Sequence, residues 1–146
     1  MSPHKSKTRF IDLLLKEGIV SKDNLDEAME RQWEQGGTIE ENLILLGHLG
    51  EVEIVKIFVR ILGFPLFNFD ETIGIKTLNL ISRDVAWRYT FIPVKSDIKY
   101  LIVAMANPLD REAISAVERE AGLKVIPMVA AKGEIDKNII RLYRRI

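Results

Sequence analysis

The ten residues Leu101-Ile-Val-Ala-Met-Ala-Asn-Pro-Leu-Asp110 restrict what this chain can become more than any other stretch. An apolar run suited to a strand buried on both faces stops at Asn107-Pro108. Proline disfavours helical backbone at the residue before it, so the run cannot continue through Asn107 as a helix. Asp110 then offers a side-chain acceptor to the free amides of a new helix through Arg111, Glu112 and Ala113. Strand, hard turn and capped helix form the core of an α/β unit, and no catalytic motif lies within it.

The sequence around it extends that unit. Phe64-Pro-Leu-Phe-Asn-Phe69 is aromatic and extended, and residues 70–79 read as a polar connection containing Gly74. Ser82 is placed to cap a short helix holding Val85, Ala86 and Tyr89. Phe91-Ile-Pro-Val94 reads as a strand that Pro93 confines to a sheet edge. A tight turn at Ser96-Asp97 makes residues 91–94 and 99–105 a hairpin. Gly122 ends the helix begun at Asp110, residues 123–129 give a third strand interrupted by Pro127, and a last helix covers roughly residues 134–145. That helix is expected to bury Ile135, Ile139, Leu142 and Ile146, and its Arg141, Arg144 and Arg145 suit a helix C-terminus.

The first 63 residues read differently, as four helices. Residues 9–17 place Phe10, Leu13, Leu14 and Leu15 on one face and stop at Gly18. Ser21 caps a second helix with Leu25, Ala28 and Met29 inward and Gln32 near its end, broken by Gly36-Gly37. Thr38-Ile-Glu-Glu41 has capping-box spacing ahead of a third helix holding residues 43–46, and a fourth runs from Glu51 to Gly63. These are two copies of one hairpin at an offset of 47 − 18 = 29 residues: Phe10 falls on Ile39, Leu14 on Leu43, Leu15 on Ile44, Val20 on Leu49, Leu25 on Ile54 and Met29 on Phe58. The expected fold is therefore α+β. A four-helix subdomain of two repeated hairpins, residues 1–63, precedes a small α/β subdomain, residues 64–146, with an approximately three-stranded sheet flanked by helices.

Composition excludes several functions. Zero cysteines rule out disulfides and thiolate metal sites and fit a reducing compartment. Charge balances at 21 basic against 21 acidic residues, without the basic excess that a broad nucleic-acid surface needs. No apolar run approaches the ~18 residues needed to cross a bilayer, and nothing after Met1 resembles a signal peptide, so a cytosolic chain is expected with no direct membrane insertion. His4 and His48 lack a partner at metal-ligand spacing, and no metal is expected; His48 is expected to be a solvated turn residue. Asp110, Glu112 and Glu118 read as a cap, a helix-start charge and a solvated face rather than acid catalysts. Trp33 and Trp87 have the chemistry of interface anchors, although packing is the commoner fate. Lys5, Lys7 and Arg9 form a short basic start.

Arg9-Phe-x-x-Leu-Leu-x-x-x-Gly-Ile-Val-x-x-x-x-Leu-x-x-x-Met-x-x-Gln32 with its second copy resembles the MshEN domain, which begins the hexameric ATPases of type II secretion and type IV pilus assembly. Gly63-Phe-Pro-Leu, Tyr89-x-x-Ile-Pro-Val94, the run 101–110 and Gly122-Leu-x-Val agree with it, so the resemblance covers residues 9–143. No Gly-x-x-x-x-Gly-Lys-Ser/Thr phosphate loop occurs, so this chain itself is not expected to be an enzyme.

The resemblance implies a non-catalytic docking and regulatory domain. Its partners would be the cytoplasmic domain of an inner-membrane secretion or pilus platform protein and the ATPase domain of a parent chain, at the cytoplasmic face of the inner membrane. A free-standing adaptor of the same fold is the alternative. Some members bind cyclic di-GMP through the repeat, close to Arg-Leu-Gly then apolar positions ending in Gln. Here Arg9 and Gln32 are kept as the implied ligand-binding residues, but Phe10-Ile11 replace Leu-Gly, Thr38-Ile39-Glu40 replace the second Arg-Leu-Gly, and Ile61 replaces the second Gln. Losing an arginine fork and gaining Glu40 works against a dianion, so no cofactor is expected, with a cyclic di-GMP sensor as the competing class. Ile54, Ile57, Phe58 and Ile61 make the fourth helix apolar almost all round and are the expected partner-binding residues.

Overall fold

The computed structural model describes the backbone of residues 3–144 and the side chains of residues 10–144. The chain forms two compact units, residues 1–54 and residues 55–146.

In the first unit, helix α1 (Pro3–Lys16) starts six residues earlier than the apolar pattern indicates, and α2 (Lys22–Gln35), α3 (Ile39–Leu45) and the start of α4 (Glu51–Lys56) come after it. The caps are those the sequence specifies. The Ser21 hydroxyl accepts the Asn24 amide at 3.1 Å. Thr38 and Glu41 form the reciprocal box, with the Glu41 amide donating to Thr38 Oγ1 at 3.0 Å and the Thr38 amide to Glu41 Oε2 at 3.3 Å. Gly18 and Gly47 both take left-handed backbone, φ 68° and 79°, a conformation that costs glycine little. They also close their helices identically at the 29-residue offset. Gly18 N–H donates to Leu15 O and Ile19 N–H to Leu14 O, while Gly47 N–H donates to Ile44 O and His48 N–H to Leu43 O. The duplication thus extends to main-chain hydrogen bonds. Phe10, Leu14, Val20, Leu25, Ala28, Leu43, Leu49 and Ile54 are buried.

The second compact unit starts at Val55, and the change in composition at residue 64 lies within it. The expected helix from Glu51 continues to Ile61, but its second half widens: α4 runs directly into a π-helical turn, Ile57–Ile61, after which Leu62 N–H donates to Ile57 O at 3.1 Å. Phe64 N–H then donates to Phe58 O at 2.9 Å, and the Phe64 ring meets Phe58 edge-on with centroids 6.2 Å apart. These bonds tie the end of the fourth helix to the aromatic segment beginning at Phe64, within one compact unit.

Helix α5 (Ile75–Leu78) lies within the stretch expected to be a polar connection, and α6 (Arg83–Tyr89) is capped by Ser82 as expected. The sheet has the order β1 (Phe91–Ser96), β2 (Tyr100–Met105), β3 (Lys124–Val129), with β1–β2 antiparallel and β2–β3 parallel. The parallel pair is joined through α7 (Arg111–Ala121), and α8 (Lys132–Tyr143) closes the unit. Pro93 does sit in an edge strand, beside a register shift. Leu66 and Phe67 extend β3 on its far side, where Val129 N–H donates to Pro65 O and Phe67 N–H to Val129 O.

The run 101–110 is the central strand and its stop. Asn107 Oδ1 accepts the Leu109 amide, Asp110 N–H donates to Asn107 O, and the Asp110 carboxylate accepts the Ala113 amide. Leu101, Val103 and Met105 are fully buried on one face. The other face, set by the alternation of strand residues, closes only towards the strand's end: Tyr100 is 41% exposed and Ile102 half-buried, whereas Ala104 is fully buried. Tyr143 pins α8 by donating its hydroxyl to the Leu78 or Ile81 carbonyl, each 3.1 Å away. Ile135, Ile139 and Leu142 are buried as expected, whereas Arg145 and Ile146 lie outside the described residues.

Candidate interaction surface

The residues singled out by sequence scatter in their environments. Arg9 lies on α1, but its side chain is outside the described residues, as are those of His4, Lys5 and Lys7. Gln32 is half-buried near the end of α2 and donates its Nε2 to Gly37 O at 3.1 Å, fastening the α2–α3 turn. The neighbouring Asn42 is buried and donates to both Gly36 O at 3.0 Å and Thr38 O at 2.8 Å. This double glycine turn is therefore held by two amide side chains. The repeat pattern points to Gln32 alone, as a ligand contact, and passes over Asn42.

Of the four residues expected on a docking face, Ile54, Ile57 and Phe58 are buried, and Phe58 is only 1% exposed. Ile61 alone is open, at 44%. An apolar helix circumference has two outcomes, burial all round or a partner, and the first three positions take the first.

The exposed apolar side chains of the first unit lie elsewhere. On α2, Met29 is 50% and Trp33 90% exposed, one turn apart on the same face. Packing, the commoner fate of a tryptophan, does not occur at Trp33, because sequence position alone does not show which side of an amphipathic helix lacks a cover. Leu45 and Val52 are also exposed. His48 is not merely solvated, since its Nε2 lies 2.9 Å from Glu27 Oε2 and ties the turn after α3 to α2.

In the second unit, a cavity of about 410 Å³ opens beside the sheet between Leu66, Thr77, Lys95, Ser96, Ile102 and Met128. It has no nucleophile–base pair, and no group able to hold a metal occurs among the described residues. At the β1–β2 turn the Asp97 carboxyl is held below the ordinary carboxylate range, chiefly because the Tyr100 and Lys99 amides donate to it. Burial pushes the Tyr143 phenol well above its ordinary range, and the Glu120 carboxylate adds to that. The first shift comes from turn hydrogen bonds and the second from burial and a neighbouring charge, so neither marks a reactive site. Among the described residues no helix is long and apolar enough to cross a membrane.

Repeated helical hairpins before a small α/β unit with a three-stranded sheet define the fold. The chain belongs to the MshEN domain family, which it matches over residues 62–146. That match begins where the π turn ends, and whole-chain comparisons cover the helices before it.

The type IV pilus assembly ATPase PilB of Thermus thermophilus is 32% identical over 122 residues, covering 82% of this chain and 14% of that protein. PilB of Myxococcus xanthus is 27% identical over 136 residues, covering 92% of this chain and 24% of that protein. The chain thus spans a quarter or less of these curated relatives. The N-terminal domain of XpsE superposes with a TM-score of 0.79 at 27% identity, covering 93% of this chain and 94% of that one. MshE, solved with cdg (cyclic di-GMP), gives a TM-score of 0.72 at 25% identity, covering 90% and 96%.

Proposed function

We propose that this chain is a non-catalytic docking and regulatory module of a type II secretion or type IV pilus assembly ATPase. It engages the cytoplasmic part of an inner-membrane platform protein and lies beside the ATPase domain of a parent chain, at the cytoplasmic face of the membrane. The observation that carries this reading is the likeness over nine-tenths of the chain to the XpsE N-terminal domain, in a sequence without a phosphate loop. The exposed side chains Met29, Trp33 and Ile61 supply apolar surface for contact.

The competing class is a cyclic di-GMP sensor, favoured by the MshE structure with that nucleotide. Against it, Glu40 stands where the second copy would need an uncharged glycine, and Ile61 replaces the second glutamine. We therefore assign no cofactor.

Titration calorimetry of the chain with the platform's cytoplasmic domain should give saturable binding. Titration with cyclic di-GMP should give no heat at high micromolar concentration. The reverse pair of results would replace docking with sensing. Ile61→Asp is the variant to use on the fourth helix, because an aspartate at the buried Ile57 or Phe58 would disturb the fold itself.

A further inference from the structure

Copies of one repeat should bury equivalent positions, and at most positions these do: Leu14 with Leu43, Val20 with Leu49, Leu25 with Ile54 and Ala28 with Ile57. They part slightly at Phe10, buried where Ile39 is only half-buried, and most at the end of the second helix. Phe58 is 1% exposed and receives the Phe64 ring, whereas its equivalent Met29 is 50% exposed. Trp33, four residues on, is 90% exposed and is succeeded by Gly36-Gly37, with no aromatic residue to fold back over it. The position is closed in copy two and open in copy one.

The surroundings of Met29 and Trp33 identify what would cover them. Helix α2 carries five acidic side chains against two basic ones. Asp26 and Glu30 stand three residues before Met29 and Trp33, Glu34 directly follows Trp33, and all three are exposed. None of the three forms an ion pair with a described residue, while Glu27 is taken by His48. An anionic membrane or a nucleic acid would be repelled by these carboxylates. A second copy of the chain would set one acidic stripe against another. A narrow apolar strip one turn long, edged by negative charge, matches a helix whose own apolar seam is flanked by lysine or arginine.

We propose that the Met29–Trp33 stripe of α2 is the docking site for a basic amphipathic helix of a protein partner, with Trp33 as its anchor and Asp26, Glu30 and Glu34 as its charge partners. This rests on the docking reading above and adds the surface and the chemistry of what it binds.

In the full chain carrying Trp87→Phe, Trp33 is the single tryptophan reporter. An amphipathic Leu/Lys peptide of about five helical turns should shift its emission to the blue and saturate, with binding lost at ~1 M salt. Binding followed by peptide fluorescence should fall at least about tenfold on Trp33→Ala and on Glu30→Lys, and a Leu/Glu peptide should leave the emission unchanged. The proposal is overturned by an unshifted emission, by undiminished binding to Trp33→Ala, or by equal binding of the Leu/Glu peptide. A shift produced by anionic vesicles or by protein concentration alone would overturn it in favour of lipid or self-association. The platform's cytoplasmic domain separates the two readings. Equal binding to the parent chain and to Trp33→Ala sinks the stripe and leaves docking standing, whereas no binding to either ends the docking reading and the partner assigned here.

Discussion

The two copies of the 29-residue repeat end their first helices with the same pair of main-chain hydrogen bonds and their second helices with different ones. In copy one, Gly36 N–H closes on Gln32 O in the ordinary α-helical way; in copy two, Leu62 N–H reaches back five residues to Ile57 O. The wider turn leads into Phe64, whose ring and amide return to Phe58. One hairpin plan therefore yields a buried side chain at this position in one copy and an open one in the other. A duplicated element need only keep its caps and core positions to keep its shape. The rest of its surface is free to change use.

Truncation at the equivalent pair tests this contrast most severely. Phe58→Ala should cost about 3–5 kcal/mol, as expected for a buried phenylalanine. Met29→Ala, at a half-exposed site, should cost under about 1 kcal/mol. Urea unfolding followed by circular dichroism reads both, and equal midpoints would erase the distinction between covered and open copies.

Asn42→Ala comes next. It strips the buried amide from Gly36 O and Thr38 O and should cost about 1–3 kcal/mol. Gln32→Ala, which breaks one half-exposed bond in the same turn, should cost about 1 kcal/mol or less. If Gln32→Ala proved the more damaging, the turn would depend on copy one's residue rather than copy two's.

The α/β unit supplies a control away from the repeat. Tyr143→Phe removes the hydroxyl's bonds to the Leu78 and Ile81 carbonyls and should cost about 1–2 kcal/mol at neutral pH. The folded phenol holds its proton more tightly than the unfolded one, so this advantage is complete below the ordinary phenol pKa of about 10 and is lost as pH rises above it. Wild type should therefore lose ground to Tyr143→Phe between neutral and strongly alkaline unfolding measurements. Parallel pH profiles would show that the Tyr143 phenol ionises as an exposed one does.

Smallest of all, Ser21→Ala at the start of α2 should cost about 1 kcal/mol. In copy two the equivalent position is Gly50, whose amide donates to Glu53 Oε1 at 3.0 Å instead. Glu53→Ala should cost no more than Ser21→Ala, because that acceptor is exposed.

The fold was largely legible in the residues because its signals are local. Caps at Ser21, Thr38, Ser82 and Asp110, the glycine stops at Gly18, Gly47 and Gly122, and the Asn107-Pro108 break each act within a few residues of themselves. Family membership was legible for the same reason, since the run 101–110 combines strand, turn and cap in one contiguous segment. The surface was not. Met29 and Phe58 occupy the same repeat position as large apolar side chains, and nothing within either helix says that one would be covered and the other left open.

By itself, then, the sequence determined the order of elements, the duplication and the central strand, through capping, backbone restriction and apolar period. Tertiary structure alone decided three things. The fourth helix loosens into a π turn whose end is held by Phe64. Gln32 and Asn42 clasp the double glycine turn. Trp33 stays bare while Phe58 is buried. Each depends on which distant group arrives at a given face, and burial is a property of that meeting rather than of the residue.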